Sequence, residues 1–382
     1  MNYQEMYPQI KESRQWFLDH IEEILEENIT ITKLPSPSWD EIETAQYLEK
    51  RFKQLGLAEV QIDSALNVIG WHRGKGQGPV IMLAAHHDTV FPRETDLTVT
   101  RKDGRLYGPG IRDNSFGVTS MIWLIEALKH FQIELPGDLL VVATSGEEGL
   151  GDLKGMKEAV KNYHDKVDYV LAIDGGLGGL VTGGITSRRF LVTVETGGGH
   201  SFGNFGVASA VHSLAKMIAQ IAELEVPREP KTTYNVGVIE GGTSVNTIAA
   251  TASFLLDMRS TRREELEKLE EKVMSIISKV EKADQVQVKI DLKGDRPGGQ
   301  TSLDHPLVQT IRKIQSDLGL SNQTHFSSTD ANVAMAYDLP AVCFGCAHGG
   351  NAHRTDEWLQ IEGIDLGLSA FFEIVLALMH LK

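Results

Sequence analysis

Cysteine is almost missing from this chain: among 382 residues only Cys343 and Cys346 occur, so disulfides do not hold the fold together. Their CFGC spacing raises a redox reading. A thioredoxin-type pair, however, opens a helix after a strand, whereas this pair continues the apolar run AVCFGC and reads as two thiols at a buried strand end. Long apolar runs are missing too. No stretch approaches the roughly 20 apolar residues of a spanning helix. The opening MNYQEMYPQIKESRQWFLDH lacks a basic segment followed by an apolar one, so neither a membrane partner nor a secretory signal is expected, and the expected location is cytoplasmic. Positive charge is the scarcer sign, 37 Lys and Arg against 52 Asp and Glu for a net charge of −15. Such a surface repels phosphate backbones, and without a basic patch carrying aromatics nucleic acid is not an expected partner. Internal repeats and low-complexity tracts are likewise missing.

What remains is a chain with 41% hydrophobic and 23% charged residues, long enough for a large core and two domains. Helical periodicity over residues 9–29, 38–55, 114–131 and 155–163 alternates with the short apolar runs VIMLAA, LLVVATS and YVLAID. Uniformly apolar runs between helices predict a sheet buried on both faces, hence an α/β class with a central mixed sheet flanked by helices. Near Gly183 the pattern changes to alternating strands, FLVTVET, YNVGVIEGG, ASFLLDMRS and VQVKIDL. Two amphipathic helices interleave with them, one carrying Val207, Val211, Leu214 and Ile218, the other Leu266, Leu269, Val273, Ile276 and Val280. The order β-α-β-β-α-β is that of a ferredoxin-like α+β domain. Pro and Gly cluster in KGDRPGGQ, and the α/β pattern then resumes. The expected organisation is a discontinuous catalytic domain, 1–182 with 295–382, carrying an inserted lid at 183–294.

Chemistry-bearing residues sit where apolar runs end. In AAHHDTV, His86 and Asp88 lie two apart and so share one face of a strand, with His87 on the other. A ligating imidazole needs its second nitrogen held by an acceptor, which makes His86 a candidate ligand and Asp88 its orienter; a hydrogen-bonded histidine at a strand end is the plainer alternative. Asp113 follows a glycine-rich turn immediately before an apolar helix and reads either as an N-cap or as a carboxylate between two cations. Glu147 and Glu148 are paired against a core strand, where lost hydration and mutual repulsion call for cations unless the flanking glycines mark a solvated loop. Neighbouring side chains diverge, so one carboxylate can bind metal while the other serves as a base. Asp174 ends YVLAID, and GCAHGGNAHRTDEW supplies His348 and His353. In open α/β sheets ligands gather beyond the carboxyl ends of strands. Imidazole and carboxylate without cysteine suit zinc, then cobalt or manganese.

The ordered series HxD, GxGxxDNxxG, GEExG, IDG and GGNAHRxDE resembles the M20 family of metallopeptidases, with its aminoacylase, carboxypeptidase and tripeptidase T-like relatives, over nearly the full length. SGEEGLGDLKGMKEA and SSTDANVAMAYDLP resemble the tripeptidase T-like branch most. The resemblance implies two divalent ions, with Asp113 bridging, His86 and Asp174 completing one site, Glu148 and His353 the other, and Glu147 as general base. His353 is taken over His348 because the family's ligand stands a few residues before an acid, here Glu357. Gly146 stands where the family often has an acid, a departure that removes none of these roles. In the lid, GGGHSFGNFG offers His200, GGTSVNTIA Asn246 and DMR Arg259 as substrate contacts, although the proline usual after the histidine is missing. Relatives project that histidine from the partner of a dimer, which implies a homodimer through the lid. The implied activity is hydrolysis of peptide bonds, with Arg259 as partner of a free carboxylate suggesting an exopeptidase on short peptides. An N-acyl-amino-acid amidohydrolase would use the same centre. A non-catalytic metal-stabilised scaffold has no use for Glu147, and a phosphoesterase would need a phosphate cradle that this chain lacks.

Overall fold

Strand Ile81–His86 shows how the core is made. Ile81, Leu83 and Ala85 enter one apolar cluster while Met82 and Ala84 enter another, so both faces of the strand are buried. A computed structural model of the chain describes residues 3–381. The chain divides into two units, one running up to Gly184 and resuming from Gly299, the other Ile185–Gly298.

The first unit is built on a nine-stranded mixed sheet. Its central strands, Leu139–Thr144, Ile81–His86, Tyr169–Leu177 and Ala341–Gly345, run parallel in that spatial order. Val68–His72 and Ala58–Ile62 extend one side antiparallel. Gly179–Gly184, with Gln323–Ser327 and Gly299–Gln300, extends the other. Helices Ser115–His130 and Ile364–Leu378 cover one face, contributing Met121, Leu124, Leu128, Phe371, Phe372 and Val375 to the first cluster. Helices Lys154–Tyr163 and Ala331–Ala336 cover the other with Met156, Val160 and Val333. The periodic segment 9–29 is two helices, Ile10–Asp19 and Ile21–Thr32, divided at His20, whose φ of −106° and ψ of 18° leave the helical region. Periodicity alone does not reveal that break, because the apolar stripe resumes almost in phase.

The second unit is a four-stranded antiparallel sheet, Thr232–Gly241, Thr251–Ser260, Thr186–Glu195 and Gln287–Arg296 in spatial order, with helices Ala210–Ala222 and Arg263–Asp284 packed on it. This is the ferredoxin-like arrangement. The longer helix buries Leu266, Leu269, Val273, Ile276 and Val280 as expected. The shorter one differs from its sequence reading. Its buried face is Ala210, Ser213, Leu214, Met217 and Ile221, and Val207, ahead of the helix, is left exposed together with Val211. Among the described residues no helix is long and apolar enough to cross a membrane. Cys343 and Cys346 are both buried and unpaired, and burial pushes the Cys346 thiol up to about 12, so both stay protonated at neutral pH.

Candidate metal centre

The carboxyl ends of three neighbouring parallel strands deliver the acids and imidazoles. His86 ends the strand Ile81–His86, Glu147 and Glu148 follow Leu139–Thr144 by a tight turn at Gly146, and Asp174 lies within Tyr169–Leu177 just past its buried residues 170–173. The turn needs glycine because Gly146 has a φ of +61°, and a Cβ there would collide with the Lys154 side chain. Asp113 enters from the loop before helix Ser115–His130. That helix is capped by Asn114, whose side-chain oxygen accepts the Gly117 N–H at 3.2 Å while its amide donates to the Ile173 carbonyl at 2.9 Å. Capping therefore falls to Asn114, and the Asp113 carboxylate faces the imidazoles.

Two triads share that carboxylate. Asp113 Oδ1 lies 3.2 Å from His86 Nε2, with Asp174 Oδ2 at 3.9 Å from the same nitrogen. Asp113 Oδ2 lies 3.4 Å from His353 Nε2, and Glu148 Oε1 is 2.9 Å from it. His86, Asp113 and Asp174 form one possible metal-holding group, and Asp113, Glu148 and His353 another. Glu147 joins His86 and Glu148 in a third. His353 reaches the site with a left-handed φ of +65°, its side chain half exposed. His348 is exposed, belongs to none of these groups, and its carbonyl accepts the Gln360 N–H.

The donor set fits divalent ions. His86 Nε2 is buried and makes no hydrogen bond, although Asp113 Oδ1 is close by. Atoms at that distance and off the hydrogen-bond axis are spaced like two ligands of one tetrahedral ion, which roughly 2.0 Å bonds would hold about 3.3 Å apart. The charges carry the same message. Burial alone would lower the His86 pKa, but Asp113, Asp88 and Glu147 hold it well above the usual histidine range. Asp113 and Glu148 raise His353 to about 10. Asp113 is held well below the usual carboxylate range against its burial by His353 and His86. Asp174 is pushed up by burial and by Asp113. Glu147 and Glu148 are both buried, so the solvated-loop alternative does not hold. Four carboxylates, Asp113, Glu147, Glu148 and Asp174, gathered with two imidazoles call for positive charge.

A second layer fixes the first. The nearest acceptor to His86 Nδ1 is the Asp88 carbonyl at 3.0 Å, with the Asp88 carboxylate at 3.6 Å. That carboxylate accepts the backbone N–H groups of Glu147 and Glu148, at 2.9 and 3.0 Å, and the Ser38 hydroxyl at 2.6 Å. Against the effect of burial, these donors and His86 hold Asp88 at about 2. Asp88 thus ties the His86 strand to the loop that carries the paired glutamates. His87 turns to the opposite side, where its Nε2 reaches the Leu66 carbonyl at 3.1 Å. Two residues without an assigned role emerge. Glu357, fully buried, accepts the N–H groups of Gly110, Arg112 and Asp113 at 3.1, 2.9 and 2.8 Å and so shapes the Asp113 loop. Asp330, also buried, accepts from the Thr144 hydroxyl and leaves Oδ1 without a hydrogen bond. Burial raises Glu357 to about 7 and Asp330 to about 6. In the sequence Glu357 serves only to mark His353 as the ligand and Asp330 only as part of SSTDANVAMAYDLP; nothing local assigns either a structural role.

His200, Asn246 and Arg259 belong to the second unit. A short ladder pairs His200 with Thr247, and the Ser201 N–H donates to the Asn246 carbonyl at 2.9 Å. His200 Nδ1 accepts the N–H groups of Phe202 and Gly203, both at 3.2 Å, so in the neutral ring the proton is on Nε2. Arg259 Nε donates to Asp257 at 2.7 Å, and Asp257 also accepts from Arg189.

Residues 82–377 match the model of peptidase family M20/M25/M40, and the chain belongs to that family, whose members are peptidases and amidohydrolases. It is 29% identical to the acetylornithine deacetylase of Myxococcus xanthus, over 85% of this chain and 86% of that protein. With the succinyl-diaminopimelate desuccinylase of Corynebacterium glutamicum it shares 25% identity, covering 87% and 91% of the two chains. In fold it is similar to a solved tripeptidase from Staphylococcus aureus, with a TM-score of 0.81 and 23% identity over 94% of this chain and 98% of that one.

Proposed function

We propose that the chain is a two-metal exopeptidase that hydrolyses short peptides. The carrying observation is the shared Asp113 carboxylate, one oxygen toward His86 and the other toward His353, with Glu147 alongside. His86 and Asp174 would hold one ion, Glu148 and His353 the second, and Asp113 both; zinc suits this oxygen and nitrogen set, with cobalt or manganese as substitutes. When bound, such a pair supplies Lewis acidity that lowers the pKa of a water and polarises a carbonyl. Glu147 takes the proton from the attacking water and returns it to the leaving nitrogen. Asp88 keeps His86 and the paired glutamates in register through the contacts given above. His200 offers a donating Nε2–H suited to a carbonyl oxygen on which charge develops, Asn246 a second polar contact, and Arg259 a guanidinium for a substrate carboxylate. The exposed apolar residues Val207, Val211, Val238 and Ile239 of the second unit suit a homodimer formed through it. Two buried free thiols suit a reducing compartment, the cytoplasm.

The kinship with a deacetylase and a desuccinylase supports a second reading, an N-acyl-amino-acid amidohydrolase working through the same centre. Metal-reconstituted protein assayed on di- and tripeptides beside N-acetyl and N-succinyl amino acids separates the two. Turnover of the peptides supports the first reading, and turnover of the acylated amino acids alone replaces it with the second. EDTA is expected to abolish activity and added zinc or cobalt to restore it; full activity in metal-free protein would overturn both.

A further inference from the structure

Beside the paired glutamates stands a tryptophan that no part of the mechanism uses. Trp39 is 64% exposed and has a φ of +78°, a backbone conformation that a bulky side chain rarely adopts. Several contacts hold it there. Its N–H donates to Glu41 Oε1 at 2.9 Å, and its indole N–H donates to the Leu150 carbonyl at 3.3 Å. Lys154 Nζ lies 4.5 Å from the ring centre and 3.0 Å from the fully buried Glu41 carboxylate. The Lys154 chain in turn packs where a Cβ on residue 146 would stand, so the glycine that turns the strand toward Glu147 also seats the lysine.

The position is continuous with the metal centre. Ser38, the preceding residue, donates to Asp88 Oδ2 at 2.6 Å and approaches the Glu148 carbonyl at 3.3 Å. Leu150, which accepts the indole N–H, follows Glu148 by two residues and is 54% exposed. Thus the tether of this loop to the centre is Ser38, while Trp39 and Leu150 present apolar surface at its rim. With its N–H satisfied and an ammonium over the ring, the indole still leaves most of its surface open to solvent. A strained, exposed, rigidly held aromatic beside reactive groups is placed for recognition rather than for packing.

We propose that Trp39, flanked by Leu150, is the specificity-determining platform for an apolar, preferably aromatic, substrate side chain next to the scissile amide. This rests on the hydrolase reading of the same centre and adds the substrate class to it. The test uses metal-reconstituted protein and matched substrates that differ only in carrying alanine, leucine or phenylalanine beside the scissile bond. The wild type is expected to favour phenylalanine. Trp39→Gly, which suits the φ and relieves the strain, should lower the ratio of kcat/KM for phenylalanine over alanine roughly tenfold, mainly through KM, and Trp39→Phe should restore most of it. An unchanged ratio, or an equal loss on every substrate, would overturn the proposal. A melting temperature of Trp39→Gly close to wild type shows that the loss is not unfolding. Should the wild type turn over no substrate, the hydrolase reading fails by itself. Indole quenching by N-acetyl-phenylalanine over N-acetyl-alanine, lost in Trp39→Phe, would then still support the platform, and equal quenching by both would sink it.

Discussion

At the scale of residues, the centre is a set of acids whose burial is tolerable only with cations beside them. In the proposed mechanism Glu147 differs in role from its neighbour, because Glu148 is paired with His353 while Glu147 faces His86. Glu147→Gln is therefore expected to keep both metals, counted by elemental analysis, while kcat falls by about 10²- to 10⁴-fold; a near-normal rate would remove Glu147 from the role of base. Asp330 tests the electrostatics one layer deeper. Burial raises it to about 6, so the folded protein keeps a proton that the unfolded chain gives up near pH 4. The stability this group contributes is full below its unfolded pKa and is lost as pH rises through about 6. On moving metal-free protein from pH 4.5 to 7.5, Asp330→Asn should gain roughly 2 kcal/mol on the wild type in urea unfolding. Parallel pH profiles would contradict that.

At the scale of elements, strands aim the site and helices hold the strands. Ile81–His86 is buried along its whole length between two neighbours, so its last residue is placed by packing that begins five residues earlier. Leu83→Ala, at a fully buried position, should cost about 2–5 kcal/mol in chemical denaturation. These elements were the legible part of the sequence, since apolar runs ending in His86, in the Glu147 pair and in Asp174 already read as strand ends carrying polar cargo. Less legible were His20, where one helical stripe becomes two helices, and Val207 and Val211, which continue an apolar stripe yet remain exposed. Periodicity reports which side chains are apolar, not what covers them.

At the scale of the whole molecule, the second unit carries apolar surface that water should not be left to cover. Val238 and Ile239 lie on Thr232–Gly241, an edge strand of its sheet, and are 45% and 60% exposed. An unpaired edge with apolar side chains invites pairing with another copy. Val238→Lys combined with Ile239→Lys is expected to shift a dimer to monomer in sedimentation velocity while leaving the circular dichroism spectrum unchanged. A wild-type protein that sediments as a monomer would remove the homodimer from the proposed function.

The sequence by itself determined the class of fold and the order of chemical groups, because strand and helix periods and the types of residue that bind metals are written locally along the chain. Only the tertiary structure decided that Asn114 rather than Asp113 caps the helix and that Asp113 faces two imidazoles through its two oxygens. It also brought Glu357 under the Asp113 loop across 244 residues and set Trp39 beside Leu150 across 111. Such pairings join segments far apart in the chain, and the burial and charge that give them meaning arise only when the sheet closes around them.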